Sequence, residues 1–184
     1  MQIKSNKAII DANISNSSDF DSLFTTHWDK LYGVVYRIVG DPSEAEDLAL
    51  ESFLKLHQRP PRQKTNLSGW LYRVATNLAF NALRSRKRRA AYENAAGQHI
   101  LETESPINPR EAVERAEACL RVRKVLSKMK GRSARILILR HSGLSYAEIA
   151  KSVGVADSSV GTLLSRAEKE FERRYKRSFE MDKW

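Results

Sequence analysis

At 184 residues the chain suits one large domain or two small ones, and 32 Lys and Arg against 22 Asp and Glu leave a net charge of +10 that favours a polyanionic partner. A single cysteine, Cys119, excludes an internal disulfide framework and fits a reducing cytoplasm; no apolar run reaches membrane length, and the polar start MQIKSNKAII is unlike a secretion signal. Only 8 Gly and 5 Pro, with no alternating β-branched runs, predict an all-α fold.

Residues 1–18, rich in Asn and Ser, read as a flexible N-terminal arm. From Asp19 an apolar stripe of Phe20, Leu23, Phe24, Trp28, Leu31, Val35 and Ile38 runs at helical spacing, and Gly40 ends it. Asp41 then caps a second helix with Pro42 in its first turn, where the missing amide hydrogen costs nothing. That helix is expected to bury Ala45, Leu48, Phe53, Leu54 and Leu56 before Pro60 and Pro61 stop it. After the polar loop RPPRQKTNL, Ser68 is the expected cap of a third helix, which packs Trp70, Leu71, Val74, Leu78 and Leu83 and runs out into RSRKRR. Residues 19–89 thus form a first helical domain.

The third helix has a chemically distinctive polar face: Tyr72, Arg73, Thr76, Asn77, Phe80, Asn81 and Arg84, followed by Arg86, Lys87 and Arg88. Cations for phosphates, amides for base edges and aromatic faces for stacking are the means of holding a separated strand. Extruding a base costs a few kcal/mol, and the loop from Gln58 to Leu67 is placed to form a pocket that offsets it. The plainer alternative makes Tyr72 and Phe80 partial core and the arginines a solvated face; the adjacent arginine run favours the functional one.

Residues 90–109 carry Glu93, Glu102 and Glu104, two prolines and no Lys or Arg, between flanks that are both basic. An acidic segment between basic domains reads as a flexible linker. Stretched, it spans about 66 Å, enough to let two domains touch DNA nearly two helical turns apart.

Residues 110–184 form the second domain. A helix from Pro109 to Met129 and a shorter one through Ile136 to Arg140 lead into LSYAEIAKSVGVADSSVGTLLSRA, residues 144–167. Ser145 and Glu148 stand three apart, as a capping box requires. Ala150 is small where two helices cross, Gly154 supplies the turn, and Val160 plugs the second helix into the first. That spacing predicts a helix-turn-helix, with an ordinary helical hairpin as the alternative. The last helix continues to Arg177. Cys119, in a helical apolar pattern, is expected as a small core residue, and the tail around Trp184 as a frayed end.

Taken in order, GDPSEAEDLALESFLKL, SGWLYRVATNLAFNALRSRKRR, the acidic linker and the helix-turn-helix resemble bacterial RNA polymerase sigma factors. The resemblance covers residues 19–177 and is to the compact extracytoplasmic-function group, which keeps only regions two and four. It implies a transcription initiation factor that binds core polymerase through the β′ clamp and the β subunit and recognises promoter DNA, both duplex and single-stranded. It also implies control by an anti-sigma factor and no membrane insertion. In such factors the docking helix meets the clamp, which maps here onto Glu46, Asp47, Leu50 and Glu51; Asp47 and Glu51 share one helix face. The resemblance assigns minus-ten opening and reading to the third helix and its loop: Asn66, Tyr72, Arg73, Asn77, Asn81, Arg84, Arg86, Lys87 and Arg88. Minus-thirty-five binding maps onto Ser158, Ser159, Gly161, Thr162, Ser165, Arg166 and Lys169.

Two departures stand out. Leu50 replaces the family's usual glutamine in the docking helix, and Gly161 and Leu163 stand where the recognition helix usually carries Lys and Arg. Ser and Thr discriminate bases poorly, whereas Arg grips guanine with two bonds. Upstream recognition is therefore expected to be weak or to rely on backbone shape. A polymerase-independent helix-turn-helix regulator would explain only the C-terminal half. A recombinase or nuclease needs clustered metal ligands, and His27, His57, His99 and His141 lie on separate segments. No catalytic residue, metal or cofactor is expected.

Overall fold

A computed structural model of the protein describes residues 3–61, 66–93 and 109–181, as seven helices with no strand among them. The helices are α1 (Ile3–Val39), α2 (Pro42–Gln58), α3 (Leu67–Glu93), α4 (Pro109–Lys128), α5 (Gly131–His141), α6 (Tyr146–Val153) and α7 (Asp157–Met181). The all-α expectation holds. Backbone helix in α1 reaches back to Ile3, into residues read from sequence as an arm. Most of the acidic linker, residues 94–108, lies outside the described residues, as do loop residues 62–65 and Trp184.

The first three helices form a bundle whose seam follows the expected stripe on α1 but is turned on α3, where of the expected residues only Leu71 is buried and Trp70, Val74, Leu78 and Leu83 are half-buried. Leu31, Val34, Val35 and Ile38 of α1 meet Ala45, Ala49, Phe53 and Leu56 of α2 and Leu71, Ala75 and Ala79 of α3. Alanines at the crossing points let the helices approach closely, while Phe53 fills the wider end against Phe20, Phe24 and Trp28. Removing that ring would cost about 3–5 kcal/mol. Asp41 caps α2 as expected, its Oδ1 accepting from the Glu44 amide at 2.7 Å. The cap of α3, by contrast, is Asn66 and not Ser68: Asn66 Oδ1 accepts from the Gly69 amide at 3.1 Å. Gly69 is needed there, since a Cβ would stand 2.3 Å from that same oxygen.

The second bundle encloses Val125, Leu126, Met129, Ile136, Leu139, Leu144, Ile149, Val160, Leu164 and Ala167. The capping box of α6 is formed: Ser145 Oγ accepts from the Glu148 amide at 3.3 Å, and Glu148 accepts from the Ser145 amide at 2.7 Å. Gly154 ends the helix with φ 71°, a left-handed conformation costly for any residue with a Cβ. Val160 and Ala150 are buried at the crossing of α6 and α7, as a helix-turn-helix requires. Cys119 is a correction: it is exposed on α4 rather than a core residue. It borders a half-open apolar pocket of about 560 Å³ lined by α1, α4, α5 and α7.

The two bundles are not held apart. Helix α3 lies along α6, and α1 and α3 both touch α5.

Candidate polymerase and nucleic-acid interfaces

Three surfaces carry the residues singled out from sequence, and each has a different local origin. The first is on α2. Leu54, expected in the core, is 52 % exposed, and Leu50 one turn earlier is 44 % exposed. With Phe20, Phe24 and Phe53 they line an open apolar groove of about 610 Å³, bordered by Asp47 and Glu51. The helical period explains the correction: with Phe53 and Leu56 turned inward, Leu50 and Leu54 share the outer stripe. Glu46 and Asp47 are exposed and Glu51 half-buried, bridged to Lys55 at 3.0 Å. An exposed leucine pair beside carboxylates suits an amphipathic helix with basic flanks. Leu50 thus extends an apolar strip where a glutamine would interrupt it.

The second surface is α3, and the structure divides the residues assigned to it. Tyr72 is a correction: it is buried, its ring edge-on to His27 at 5.8 Å between centroids. Its hydroxyl lacks a hydrogen-bond partner among the described residues, and burial followed by the nearby Glu148 pushes its pKa up. Phe80 is likewise buried, one turn from Thr76, which bonds the Tyr72 carbonyl at 2.7 Å. Arg86 is engaged within its own bundle. It donates to the Val39 carbonyl at 3.2 Å and pairs with Glu44, so it ties the end of α1 to the start of α2. The burial of Tyr72 and Phe80 follows from the helical period, which turns positions 72, 76 and 80 toward the bundle.

What remains on α3 forms two groups. Asn81, Arg84 and Arg88 border an open cleft of about 890 Å³ that Leu48 and Ser127 help to line, and Arg84 packs over the Phe80 ring at 5.9 Å. Asn66 and Arg73 instead face α6 of the helix-turn-helix, and Asn77 faces α5. Asn66 Nδ2 donates to the Lys151 carbonyl at 3.0 Å, and Arg73 Nε to the Ser152 carbonyl at 2.9 Å. Arg135, on α5, donates to Thr76 Oγ1 at 2.9 Å and to Asn77 Oδ1. The side chain of Lys87 lies outside the described residues. Sequence patterning found these α3 residues but not Arg135, because nothing in its local run, GRSARILILRH, marks a partner on a distant helix.

The third surface is α7. Ser158, Ser159, Thr162, Ser165, Arg166 and Lys169 are exposed along one face, with Gly161 among them. A Cβ on Gly161 would meet Tyr146 at 3.7 Å, an ordinary contact, so neither space nor backbone angle demands glycine there. Among the described residues no group of His, Cys, Asp and Glu is arranged to hold a metal ion.

A helical bundle with an exposed apolar groove and a basic third helix, followed by a helix-turn-helix, is the architecture of a two-part transcription factor. The chain belongs to the sigma-70 family, in its extracytoplasmic-function group, and is a transcription initiation factor of RNA polymerase. Residues 23–89 match sigma-70 region 2 and residues 119–171 match sigma-70 region 4. It is 34 % identical over 162 residues to the RNA polymerase sigma-H factor of Pseudomonas aeruginosa, covering 80 % of this chain and 79 % of that one. It is 28 % identical over 163 residues to the ECF RNA polymerase sigma factor SigE of Mycolicibacterium smegmatis; that match takes in 86 % of this chain but 62 % of the relative. The fold resembles that of the sigma factor RpoE, solved in complex with the anti-sigma factor NepR from Bartonella quintana. The TM-score is 0.52 at 20 % identity, covering 86 % of this chain and 97 % of that one.

Proposed function

We propose that the α2 groove docks core RNA polymerase, that α3 holds the opened minus-ten strand, and that α7 anchors upstream duplex. The observation that carries this reading is the pairing, on one bundle, of an exposed apolar strip at Leu50 and Leu54 with a separate row of cations and amides on α3. The first is chemistry for a protein helix and the second for a polyanion. Leu50, Glu46, Asp47 and Glu51 form the protein-facing set. Asn66, Arg73, Asn77, Asn81, Arg84 and Arg88 form the strand-facing set, of which Arg84 and Arg88 supply backbone cations. Duplex contacts fall to Ser158, Ser159, Thr162, Ser165, Arg166 and Lys169. Their short hydroxyls favour positioning on the backbone over base discrimination.

In this reading the chain works in the cytoplasm, polymerase supplies the chemistry, and residues 90–109 act as the tether between the two modules. The structure of the related factor with NepR supports an anti-sigma partner for this chain as well. Transcription in vitro with core polymerase over a promoter library tests the proposal. Promoter-specific initiation that depends on the added chain is the expected result. Specific duplex binding without any association with core polymerase would favour the polymerase-independent regulator instead.

A further inference from the structure

The half-open pocket beside Cys119 belongs to none of the three surfaces described above: no residue assigned to polymerase, opened strand or upstream duplex lines it. Its floor is made of Leu126 on α4 with Leu137 and Ile138 on α5, all buried, and half-buried Val122 and Phe171 stand above them. Its volume, about 560 Å³, lies within the range of small-molecule sites, roughly 300–1,000 Å³.

The rim has a different chemistry. Arg37 of α1 and Arg123 of α4 both line it, and among the described residues neither pairs with a carboxylate. Arg37 Nη1 donates to the Gly33 carbonyl at 3.1 Å and to Ser142 Oγ at 3.5 Å. Arg123 Nε donates to the Arg37 carbonyl at 3.4 Å, and its guanidinium lies across Gly40, on ground that a Cβ there would take. A guanidinium carries five donors, so most of each fork is left for a ligand. Exposed Glu168 and His141 are the other ionisable groups on the rim, which leaves the two arginines in excess of one carboxylate.

An apolar floor under a doubly cationic rim matches a molecule with one aliphatic chain and one anionic end. A nucleic-acid strand would bring charge against the apolar floor and lose its hydration there. We propose that the pocket binds a single-chain carboxylate amphiphile, the anion of a medium-chain fatty acid. The chain lies on Leu126, Leu137, Ile138 and Phe171, and the carboxylate stays at the surface with Arg37 and Arg123. Burial of methylenes supplies the affinity, and the charge-assisted bonds fix the orientation.

The experiment titrates dodecanoate, below its micelle concentration, into the full chain by calorimetry, with decanoate, dodecanol and dodecyltrimethylammonium as comparisons. One equivalent of dodecanoate is expected to bind, with decanoate about tenfold weaker for its two missing methylenes. The neutral and cationic chains should bind about fivefold more weakly or worse. Ala118→Trp, which fills the pocket from α4, should weaken dodecanoate by about tenfold, and Arg37→Gln by about fivefold, with melting checked in each. Cys119 is the single cysteine and is exposed beside the pocket, so dodecanoate should slow its reaction with a neutral aromatic disulfide in the parent. Equal binding of all three head groups overturns the carboxylate assignment. Binding that is unchanged in both variants, or that leaves Cys119 as reactive as before, overturns the site. Absence of binding in the parent overturns the proposal as well; if binding then appears only with Ile100→Ser and Leu101→Ser, the occupant is the chain's own linker. Should Ala118→Trp melt early, Arg37→Gln and the protection of Cys119 decide the matter.

Discussion

Arg73 Nε donates to the carbonyl oxygen of Ser152 at 2.9 Å, joining two helices that lie 79 positions apart in sequence. The end of a helix concentrates partial negative charge on its last carbonyls, which gives a guanidinium an acceptor within the chain. With Asn66 on Lys151 and Arg135 on Thr76 and Asn77, it is one of several polar links between the two bundles.

Leu50 and Leu54 provide the most direct handle on polymerase docking. Both are largely exposed, so Leu54→Asp should leave the melting temperature within about 1–2 °C of the parent. Losing one leucine from an interface costs about 1.5–3 kcal/mol, so affinity for core polymerase should fall by roughly tenfold or more. Equilibrium binding to labelled core polymerase checks this, and unchanged affinity would remove α2 from the docking surface.

Gly161 is expected to be a weak point of the recognition helix rather than a requirement. Gly161→Ala should raise stability by about 1 kcal/mol in a denaturant titration. Gly161→Arg, placed on the same face as Thr162 and Ser165, should tighten binding to upstream duplex several-fold and steepen its salt dependence. A drop in stability for the alanine variant would show that glycine is needed there after all.

Arg86 should behave as a structural residue. Its bonds to Val39 and Glu44 tie α1 to α2, so Arg86→Ala should cost about 1–2 kcal/mol of stability. Thermal melting and oligonucleotide binding, measured on the same variant, distinguish this from a strand contact. A loss of affinity with no loss of stability would reverse the assignment.

The interface should weaken in mild acid. Burial lowers the His27 pKa below its ordinary value of 6.5, an effect Glu148 opposes and Lys30 reinforces. The neutral ring therefore fits the packed state, and its contribution is complete above about pH 6.5. As pH falls from there through the lowered value, the unfolded chain takes up the proton first and stability declines. Glu148 adds the same trend at lower pH, since bonds from the Ser145 amide and hydroxyl hold its carboxyl below 4.5. Melting temperature should drop between pH 7 and 5.5, and His27→Gln should flatten that slope. An identical slope in the variant would contradict it.

Much of this was legible in the sequence because it is local. The capping box at Ser145 and Glu148, the left-handed Gly154 and the Asp41 cap with Pro42 behind it are short-range patterns, and all are formed as expected. Errors arose where a helical face had to be oriented. The pattern points Leu54 inward and Tyr72 outward and the fold does the reverse, because an apolar stripe defines a period but not which neighbours cover its margins. Asn66 displaced Ser68 as cap because a close-approach glycine at 69 admits it. The link from Asn66, Arg73 and Asn77 to α5 and α6 was invisible, since neither Arg135 nor two backbone carbonyls form a motif.

The central claim is that Arg73 and Asn77 of α3 hold the opened strand once polymerase is engaged. Permanganate footprinting of minus-ten thymines on promoter DNA, with core polymerase and the full chain, tests it most directly. Arg73→Ala and Asn77→Ala should each reduce thymine reactivity in the bubble about tenfold while upstream duplex protection persists. Unchanged reactivity in both variants would contradict the account.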